Sequence, residues 1–126
     1  MSGGPDPGGL ARERGPDVAA WTVPHGAPAM TPPLMAVPRV DLDDDRLRIT
    51  EWRFAPGART GHHRHGFDYV VVPLTDGLLR LETGDGVAHF ELKAGHSYAR
   101  LAGVEHDVVN AGTAELAFVE IEYKRT

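Results

Sequence analysis

The chain of 126 residues contains no cysteine. Disulfides, catalytic thiolates, zinc fingers and iron–sulfur clusters are therefore excluded, and any metal must be held by nitrogen and oxygen ligands. No apolar run approaches the roughly 18 residues that a membrane-spanning helix needs, and the N-terminus lacks the charged and then apolar pattern of a signal peptide. The formal net charge is −5 and the basic residues are scattered without a Lys/Arg stripe, so no nucleic-acid-binding surface is indicated. We expect a cytoplasmic protein without a membrane or nucleic-acid partner.

Helical periodicity is also missing, and short apolar runs separated by turn residues take its place from residue 34 onward. Runs of this kind at a spacing of about 8–12 residues are typical of an all-β sandwich or barrel. The predicted strands are 34–40, 47–54, 69–74, 78–83, 87–92, 97–101, 105–110 and 116–123, with an acidic turn at 41–45. These patterns predict one all-β domain, a sandwich or a barrel, over residues 34–126.

Residues 1–33 are rich in glycine and proline, unlike the rest of the chain. Such a composition cannot fill a core or sustain a helix, so it predicts a flexible N-terminal arm. The segment around Trp21 is the exception, because an exposed tryptophan tends to bury itself on the barrel or on a partner subunit.

Three histidines lie close together in the sequence His62-His63-Arg64-His65. Side chains alternate between the two faces of a β-strand, so His63 and His65 are expected to point the same way. Two imidazoles directed into one space form half of a metal site. By the same alternation His62 faces away and is expected at the rim.

Two motifs in the chain resemble those of the cupin superfamily. The first runs from Gly57 through five residues to His63 and His65, and the second contains Gly103, His106 and Asn110. The resemblance covers residues 34–123. It implies a single-domain jelly-roll β-barrel of about eight or more antiparallel strands.

The resemblance also implies a metal centre with His63, His65 and His106 as imidazole ligands. The expected cofactor is one divalent metal ion (Fe, Mn, Ni, Zn or Cu), with Fe favoured for oxygenase chemistry. All three rings must be neutral to bind a metal, so affinity is expected to weaken at low pH. Asn110 is expected to anchor a turn or a strand end.

The chain departs from the family pattern at one ligand position. The usual glutamate, four residues after the second histidine, is replaced by Tyr69, and the nearest carboxylate is Asp68. On a regular strand Asp68 would face away from His65. A bulge at Gly66 would shift the phase by one residue and turn Asp68 inward. Two alternatives stay open: a site with three histidines, or one in which Asp68 reaches the metal or its bound water.

Two further residues are candidates for binding a substrate. Alternation places His96, Tyr98 and Arg100 on one face of a predicted strand. If that face lies inside the barrel, Arg100 can hold a substrate carboxylate and Tyr98 can donate a hydrogen bond. If it lies outside, these residues are ordinary surface.

The local amino-acid sequence at 52–57 and 63–74 is similar to that of a cupin subgroup associated with β-alanine degradation. We expect a small metalloenzyme that acts on a small carboxylate or diketone-like substrate, with a dioxygenase favoured. The alternatives are a metal-dependent isomerase and a non-enzymatic small-molecule-binding or sensor barrel. A homodimer is expected by family resemblance, with Trp21 and the strand at 34–40 as candidate contacts.

Overall fold

The computed structural model of the chain describes residues 33–124, which form nine β-strands. The strands are β1 (Val37–Asp43), β2 (Leu47–Phe54), β3 (His63–Arg64), β4 (Asp68–Pro73), β5 (Gly77–Thr83), β6 (Gly86–Leu92), β7 (Tyr98–Arg100), β8 (Glu105–Asn110) and β9 (Leu116–Tyr123). Within that range the chain has no helical segment with the length and hydropathy of a membrane crossing. The predicted arm at 1–33, with Trp21, lies outside the described residues except for Pro33.

The strands form two antiparallel sheets. The larger sheet has the order β1-β2-β9-β4-β7, and the smaller sheet has the order β3-β8-β5-β6. Strands that are neighbours in a sheet are often far apart in sequence, and β9 lies between β2 and β4. The prediction of an all-β jelly roll with about eight or more antiparallel strands is confirmed.

The first strand differs in its bounds from the sequence prediction. The sequence predicts a strand at 34–40 and an acidic turn at 41–45. In the structure the strand begins later and ends later, because β1 extends to Asp43 and pairs with β2 as far as Arg48. The turn is shorter because Asp44 holds it: its carboxylate accepts the backbone N–H groups of Arg46 and Leu47, each at 2.8 Å. Pairing with β2 satisfies the backbone groups that a loop would leave to water.

The alternation along β2 decides which side chains face the interior. Arg48, Thr50 and Trp52 line the space between the sheets, and Phe54 is completely buried in the core. The other face carries Glu51, which is buried and ion-paired with two exposed arginines. Its oxygens lie 2.7 Å from Arg39 Nη2 and 2.6 Å from Arg53 Nε. Glu51 therefore forms its ion pairs on the outer face of β2.

The hydrophobic core closes one part of the space between the sheets. Its buried members come from both sheets and from the connecting segments: Ala36, Phe54, Ala58, Tyr69, Val71, Leu79, Leu92, Val108, Leu116 and Phe118. Phe54 and Phe118 pack with ring centroids 5.5 Å apart. Burial of these side chains fixes the register of the strands, and the register places the polar side chains described next.

Candidate metal centre

Three imidazole rings converge in the space between the sheets. The Nε2 atom of His65 lies 3.0 Å from Nε2 of His63 and 3.2 Å from Nε2 of His106. The rings meet edge-on, with interplanar angles of 80°, 71° and 89° for the three pairs. His65 and His106 are buried, and His63 is half-buried. The structure thus brings together the three histidines that the sequence assigned to one site.

Backbone pairing within the smaller sheet positions these rings. His63 on β3 lies directly opposite His106 on β8. The N–H of His65, just after β3, donates to the carbonyl of Val104 at 2.9 Å, and the N–H of Gly103 donates to the His65 carbonyl at 2.8 Å. Gly103 has a φ of +98°, a backbone conformation that residues with a side chain rarely adopt. The glycine of the second motif therefore permits the turn in which its N–H reaches the His65 carbonyl.

The hydrogen bonds of His63 determine which ring nitrogen faces the other histidines. Its Nδ1 lies 2.9 Å from the carbonyl oxygen of Gly61, which can only accept a hydrogen bond. The proton therefore resides on Nδ1 in this contact, and Nε2 presents a lone pair to His65 and His106. The hydroxyl of Thr60 lies 3.2 Å from the same Nδ1. Metal-binding histidines commonly have an outer hydrogen bond of this kind.

The donor set fits a divalent metal ion bound through nitrogen. Metal–nitrogen bonds of about 2.0–2.1 Å place neighbouring ligand atoms roughly 3.0–3.4 Å apart around one ion. The Nε2 separations of 3.0 and 3.2 Å agree with that spacing. A neutral imidazole has one donor and one acceptor nitrogen, so three Nε2 atoms that converge on one point cannot all form hydrogen bonds with one another. A cation between them would accept all three lone pairs at once.

A carboxyl group that the sequence analysis missed faces this cluster from the larger sheet. Glu120 on β9 is buried, and its Oε2 lies 4.0 Å from Nε2 of His65. Burial and the adjacent Glu122 raise the pKa of Glu120 to about 7, and a hydrogen bond from the Trp52 side chain partly offsets this effect. Alternation along β9 was the available signal, because it places Glu120 and Glu122 on the same face as the apolar Phe118.

The structure places Asp68, the tentative carboxylate ligand, outside the cluster. Its Oδ1 accepts the N–H of Ala102 at 2.7 Å. The next residue, Tyr69, is buried and stacks on His65 with ring centroids 3.9 Å apart. Gly66 does not supply the shift that would turn Asp68 inward, because β4 alternates regularly from its first residue. The position at which the family usually has a glutamate is therefore occupied by Tyr69, whose ring packs against His65.

The cluster borders a cavity of about 660 Å³ between the sheets, a size typical of small-molecule sites. One wall is a row of register partners on four strands of the larger sheet: Arg48, Glu122, Tyr69 and Arg100. Arg48 and Glu122 neutralise each other, with Nε and Oε1 2.5 Å apart. Burial raises the pKa of the Tyr69 hydroxyl, so that group stays protonated at neutral pH.

Tyr98 and Arg100 line this cavity, so the interior alternative for their strand applies. The Arg100 guanidinium lies over the rings of Tyr98 and Phe90, at 4.6 and 5.4 Å from the centroids. Among residues 33–124 it forms no ion pair with a carboxylate, in contrast to Arg48. Burial raises the pKa of Tyr98 to about 12, which keeps its hydroxyl a hydrogen-bond donor.

Two other histidines near these segments lie away from the site. His62 is exposed, and its Nε2 lies 3.0 Å from Oε2 of Glu105 on the surface. Its place at the rim agrees with the alternation argument. His96 precedes β7 and is also exposed.

The metal-free protein is expected to lose stability as the pH falls from 6.5 to about 4. Burial, with a smaller contribution from His63, lowers the pKa of both His65 and His106 from 6.5 to about 4. The unfolded chain therefore takes up these two protons first, and acid favours unfolding by a few kcal/mol across this window. The raised pKa of Glu120 has the opposite effect on stability. The unfolded chain releases this proton at a lower pH than the folded protein does, so Glu120 disfavours the folded state increasingly as the pH rises from 4.5 to about 7.

Thermal denaturation across this pH range measures the effect. A His65→Gln/His106→Gln double variant removes both groups and should show a flatter pH profile than the wild type. The same slope in both proteins would contradict the assignment of the acid sensitivity to these two rings.

Two facing antiparallel sheets with a histidine cluster and a cavity between them define a small jelly-roll barrel with a candidate metal centre. The chain belongs to the cupin family, because the Cupin_2 family model, described as "Cupin domain", matches residues 50–122. The family resemblance seen in the two motifs is thereby confirmed.

Known relatives agree with this placement. The chain is 62% identical over 89 residues to the "Beta-alanine degradation protein BauB" of Pseudomonas aeruginosa, covering 71% of this chain and 94% of the relative. A crystal structure of a cupin domain from Bordetella pertussis Tohama I is 50% identical with a TM-score of 0.73, covering 75% of this chain and 99% of that one. A double-stranded β-helix protein from Klebsiella pneumoniae shares the fold, at 22% identity and a TM-score of 0.61, over 71% of this chain and 77% of that one.

Proposed function

We propose that this cupin is a small mononuclear metalloenzyme that acts on a small carboxylate or diketone-like substrate, with dioxygenase activity favoured. The observation that carries the proposal is the convergence of three imidazole Nε2 atoms beside a cavity of about 660 Å³. Three protein ligands leave positions open around one ion, and open positions are what oxygenase chemistry at non-haem iron requires.

His63, His65 and His106 would hold the ion, and Fe is favoured among Fe, Mn, Ni, Zn and Cu. When bound, the ion would supply Lewis acidity towards a carbonyl or carboxylate oxygen and, as Fe(II), a binding position for O₂. The protein's part is to keep the three rings neutral and oriented. Burial of His65 and His106 serves this purpose, because it disfavours their protonation.

Arg100 and Tyr98 would bind the substrate on the facing wall. The Arg100 guanidinium lies over two aromatic rings and has no carboxylate partner among the described residues, so a substrate carboxylate can pair with it. The Tyr98 hydroxyl can donate to a second oxygen.

The lining of the cavity favours an enzyme over a non-enzymatic binding module. A binding barrel is expected to have an apolar lining with few ionisable groups. Here the lining includes the carboxyl group of Glu120, which lies 4.0 Å from Nε2 of His65 and has a pKa raised to about 7 by burial. Groups that can exchange protons with a substrate are a requirement of catalysis.

A metal-dependent isomerase is the second candidate function, and Glu120 is the observation that favours it. Its carboxyl group faces the histidine cluster, with Oε2 4.0 Å from Nε2 of His65, and has no arginine or lysine ion pair among residues 33–124. From this position a carboxylate can remove a proton beside a polarised carbonyl and return it elsewhere.

The name of the Pseudomonas aeruginosa relative links that protein to β-alanine degradation. We propose the same metabolic association for this chain. Small carboxylates are therefore the first compounds to test as substrates.

The experiment that tests the function is oxygen consumption by Fe(II)-loaded protein over a panel of small carboxylic acids and diketones. Uptake of O₂ that depends on both iron and one compound would support the dioxygenase. No uptake with any compound would contradict it. Proton exchange or inversion in the same panel, followed by NMR with each of the divalent metals, would then identify the isomerase.

Arg100→Met is expected to raise the KM for a carboxylate substrate by roughly 10–100-fold, since a charge-assisted hydrogen bond contributes about 1.5–3 kcal/mol. The methionine keeps much of the apolar stem that packs on Tyr98 and Phe90. Steady-state kinetics measures the change. Arg53→Met, on the outer face of β2, is the matched control and should leave KM unchanged; an equal effect of both substitutions would remove Arg100 from the substrate site.

We also propose a homodimer in which β1 contributes to the contact. This strand lies at the edge of the larger sheet, and its Val37, Val40 and Leu42 side chains are exposed. Exposed apolar edge strands are commonly covered by a partner. Analytical ultracentrifugation of the wild type and of a Val40→Lys variant tests this, and a monomeric wild type would contradict it.

A further inference from the structure

We propose that Asp107 is a positioning residue that holds His63 in the orientation and tautomer that the metal centre needs. Asp107 follows His106 on β8, and alternation turns its side chain away from the cavity. It acts on His63 through the backbone of Gly61. The inference rests on the proposed metal centre, but its first test requires no metal.

The contact between the carboxylate and the imidazole runs through one residue. Oδ1 of Asp107 accepts the N–H of Gly61 at 3.1 Å. The carbonyl of Gly61 accepts the Nδ1–H of His63 at 2.9 Å. Gly61 has a φ of +86°, a left-handed conformation that orients its N–H and its carbonyl towards these two different partners. Fixing the N–H therefore restrains the direction of the carbonyl.

Backbone pairing alone does not hold this residue. The N–H of Thr60 donates to the carbonyl of Val108 at 3.0 Å, and His63 pairs with His106. Between these two attachment points, the Gly61 N–H is held by the Asp107 side chain and not by a backbone carbonyl. Asp107 thus supplies the contact that the interrupted sheet pairing omits next to a metal-ligand candidate.

The other oxygen of Asp107 anchors the carboxylate itself. Oδ2 lies 3.1 Å from Nη1 of Arg59, whose Nη2 lies 3.4 Å from Oε1 of Glu82. Asp107 and Glu82 are register partners on β8 and β5, so Arg59 lies between two like charges that would otherwise repel. Asp107 is 9% exposed, and both of its oxygens are engaged. A buried carboxylate held in this way is a rigid acceptor for Gly61.

The consequence for the metal centre is a fixed tautomer. With the Gly61 carbonyl in place, the proton of His63 stays on Nδ1, and Nε2 keeps its lone pair directed at the other two rings. Without Asp107, the Gly61 N–H loses its acceptor, and only the contacts of His63 Nδ1 and of the Thr60 hydroxyl with the Gly61 carbonyl remain. His63 can then rotate or carry its proton on Nε2, and in either state it no longer offers a lone pair to a metal.

The first test is long-range ¹H–¹⁵N NMR of the metal-free protein, which reports the tautomer of each histidine. We expect the Nδ1–H form for His63 in the wild type and a mixture of tautomers in Asp107→Ala. Asp107→Asn should retain the wild-type signal, because its amide oxygen can still accept the Gly61 N–H. Glu82→Gln is the matched control, since it perturbs the same Arg59 network without touching Gly61.

The second test is metal affinity, measured by competition titration with Zn²⁺ and Co²⁺. We expect a loss of roughly 10–100-fold in Asp107→Ala, the range found for outer partners of metal ligands. Asp107→Asn and Glu82→Gln should stay near the wild type. Asp107→Ser replaces the alanine variant if that variant does not fold, because a serine side chain is too short to span the contact.

The results separate the inference from the function on which it rests. An unchanged His63 tautomer and unchanged affinity in Asp107→Ala would overturn the positioning role. Equal losses in Asp107→Ala and Glu82→Gln would also overturn it, because they would indicate a general effect of the charge network. A wild type that binds no metal would instead overturn the proposed function, and the tautomer measurement would still decide the role of Asp107.

Discussion

His63→Ala and His106→Ala are each expected to lower the affinity for a divalent metal by more than about 100-fold. Each substitution removes one of three converging imidazoles and leaves two, whereas loss of an outer partner alone costs about 10–100-fold. Isothermal titration with Zn²⁺, and anaerobically with Fe²⁺, measures the affinity. Elemental analysis of protein purified without added metal gives the occupancy.

His62→Ala is the control for these two variants. This histidine is adjacent to His63 in sequence, but its side chain is exposed and pairs with Glu105. The His62→Ala substitution removes one imidazole from the same segment without changing the cluster, so metal affinity should be unchanged. A wild type and variants that all carry the same negligible metal would contradict the metal centre.

Asn110→Asp is expected to lower the free energy of unfolding by at least about 3 kcal/mol. Asn110 is 1% exposed, and its Nδ2 donates to the carbonyls of Phe54 at 3.1 Å and Ala114 at 2.9 Å. Its Oδ1 accepts the N–H of Gly112 at 2.9 Å. An aspartate would bury a charge and direct a carboxylate oxygen at two carbonyl oxygens. The buried amide thus ties three chain segments together, which is the turn-anchoring role expected from the second motif.

Urea denaturation of the two proteins at neutral pH measures this loss. Thr113→Asp is the control, because it adds the same charge to the same turn at an exposed position. The control should change stability by less than about 0.5 kcal/mol, as is usual for surface substitutions. Similar stability of Asn110→Asp and the wild type would show that the amide contacts do not hold this end of β8.

Much of the fold follows from local patterns in the sequence. The bounds of β2, β8 and β9 are the same in the prediction and in the structure, because turn residues mark where these strands begin or end. β3 was not among the predicted strands, because it has only two residues and forms by pairing with β8, which is distant in sequence. The extent of β1 was also misjudged, because its acidic end resembles a turn until its pairing with β2 is considered.

The candidate site divides in the same way between local and distant information. Spacing alone puts His63 and His65 on one side of the chain, because alternation is a property of the extended backbone. The sequence by itself also determined the absence of thiolate ligands, and the two motifs predicted that His106 joins the other two histidines, as it does in the structure. For Asp68 the sequence left two alternatives, and the regular phase of β4 decided between them by turning Tyr69 towards His65.

Only the tertiary structure decided what faces the histidines. Glu120 and Arg100 lie on β9 and β7, and their places beside the cavity depend on strand order and register in the larger sheet. The contact of Asp107 with Gly61 crosses from β8 to the loop before β3. Periodicity reports which face of its own strand a side chain occupies, whereas the neighbour across the sheet or across the cavity is selected by the packing of the whole core.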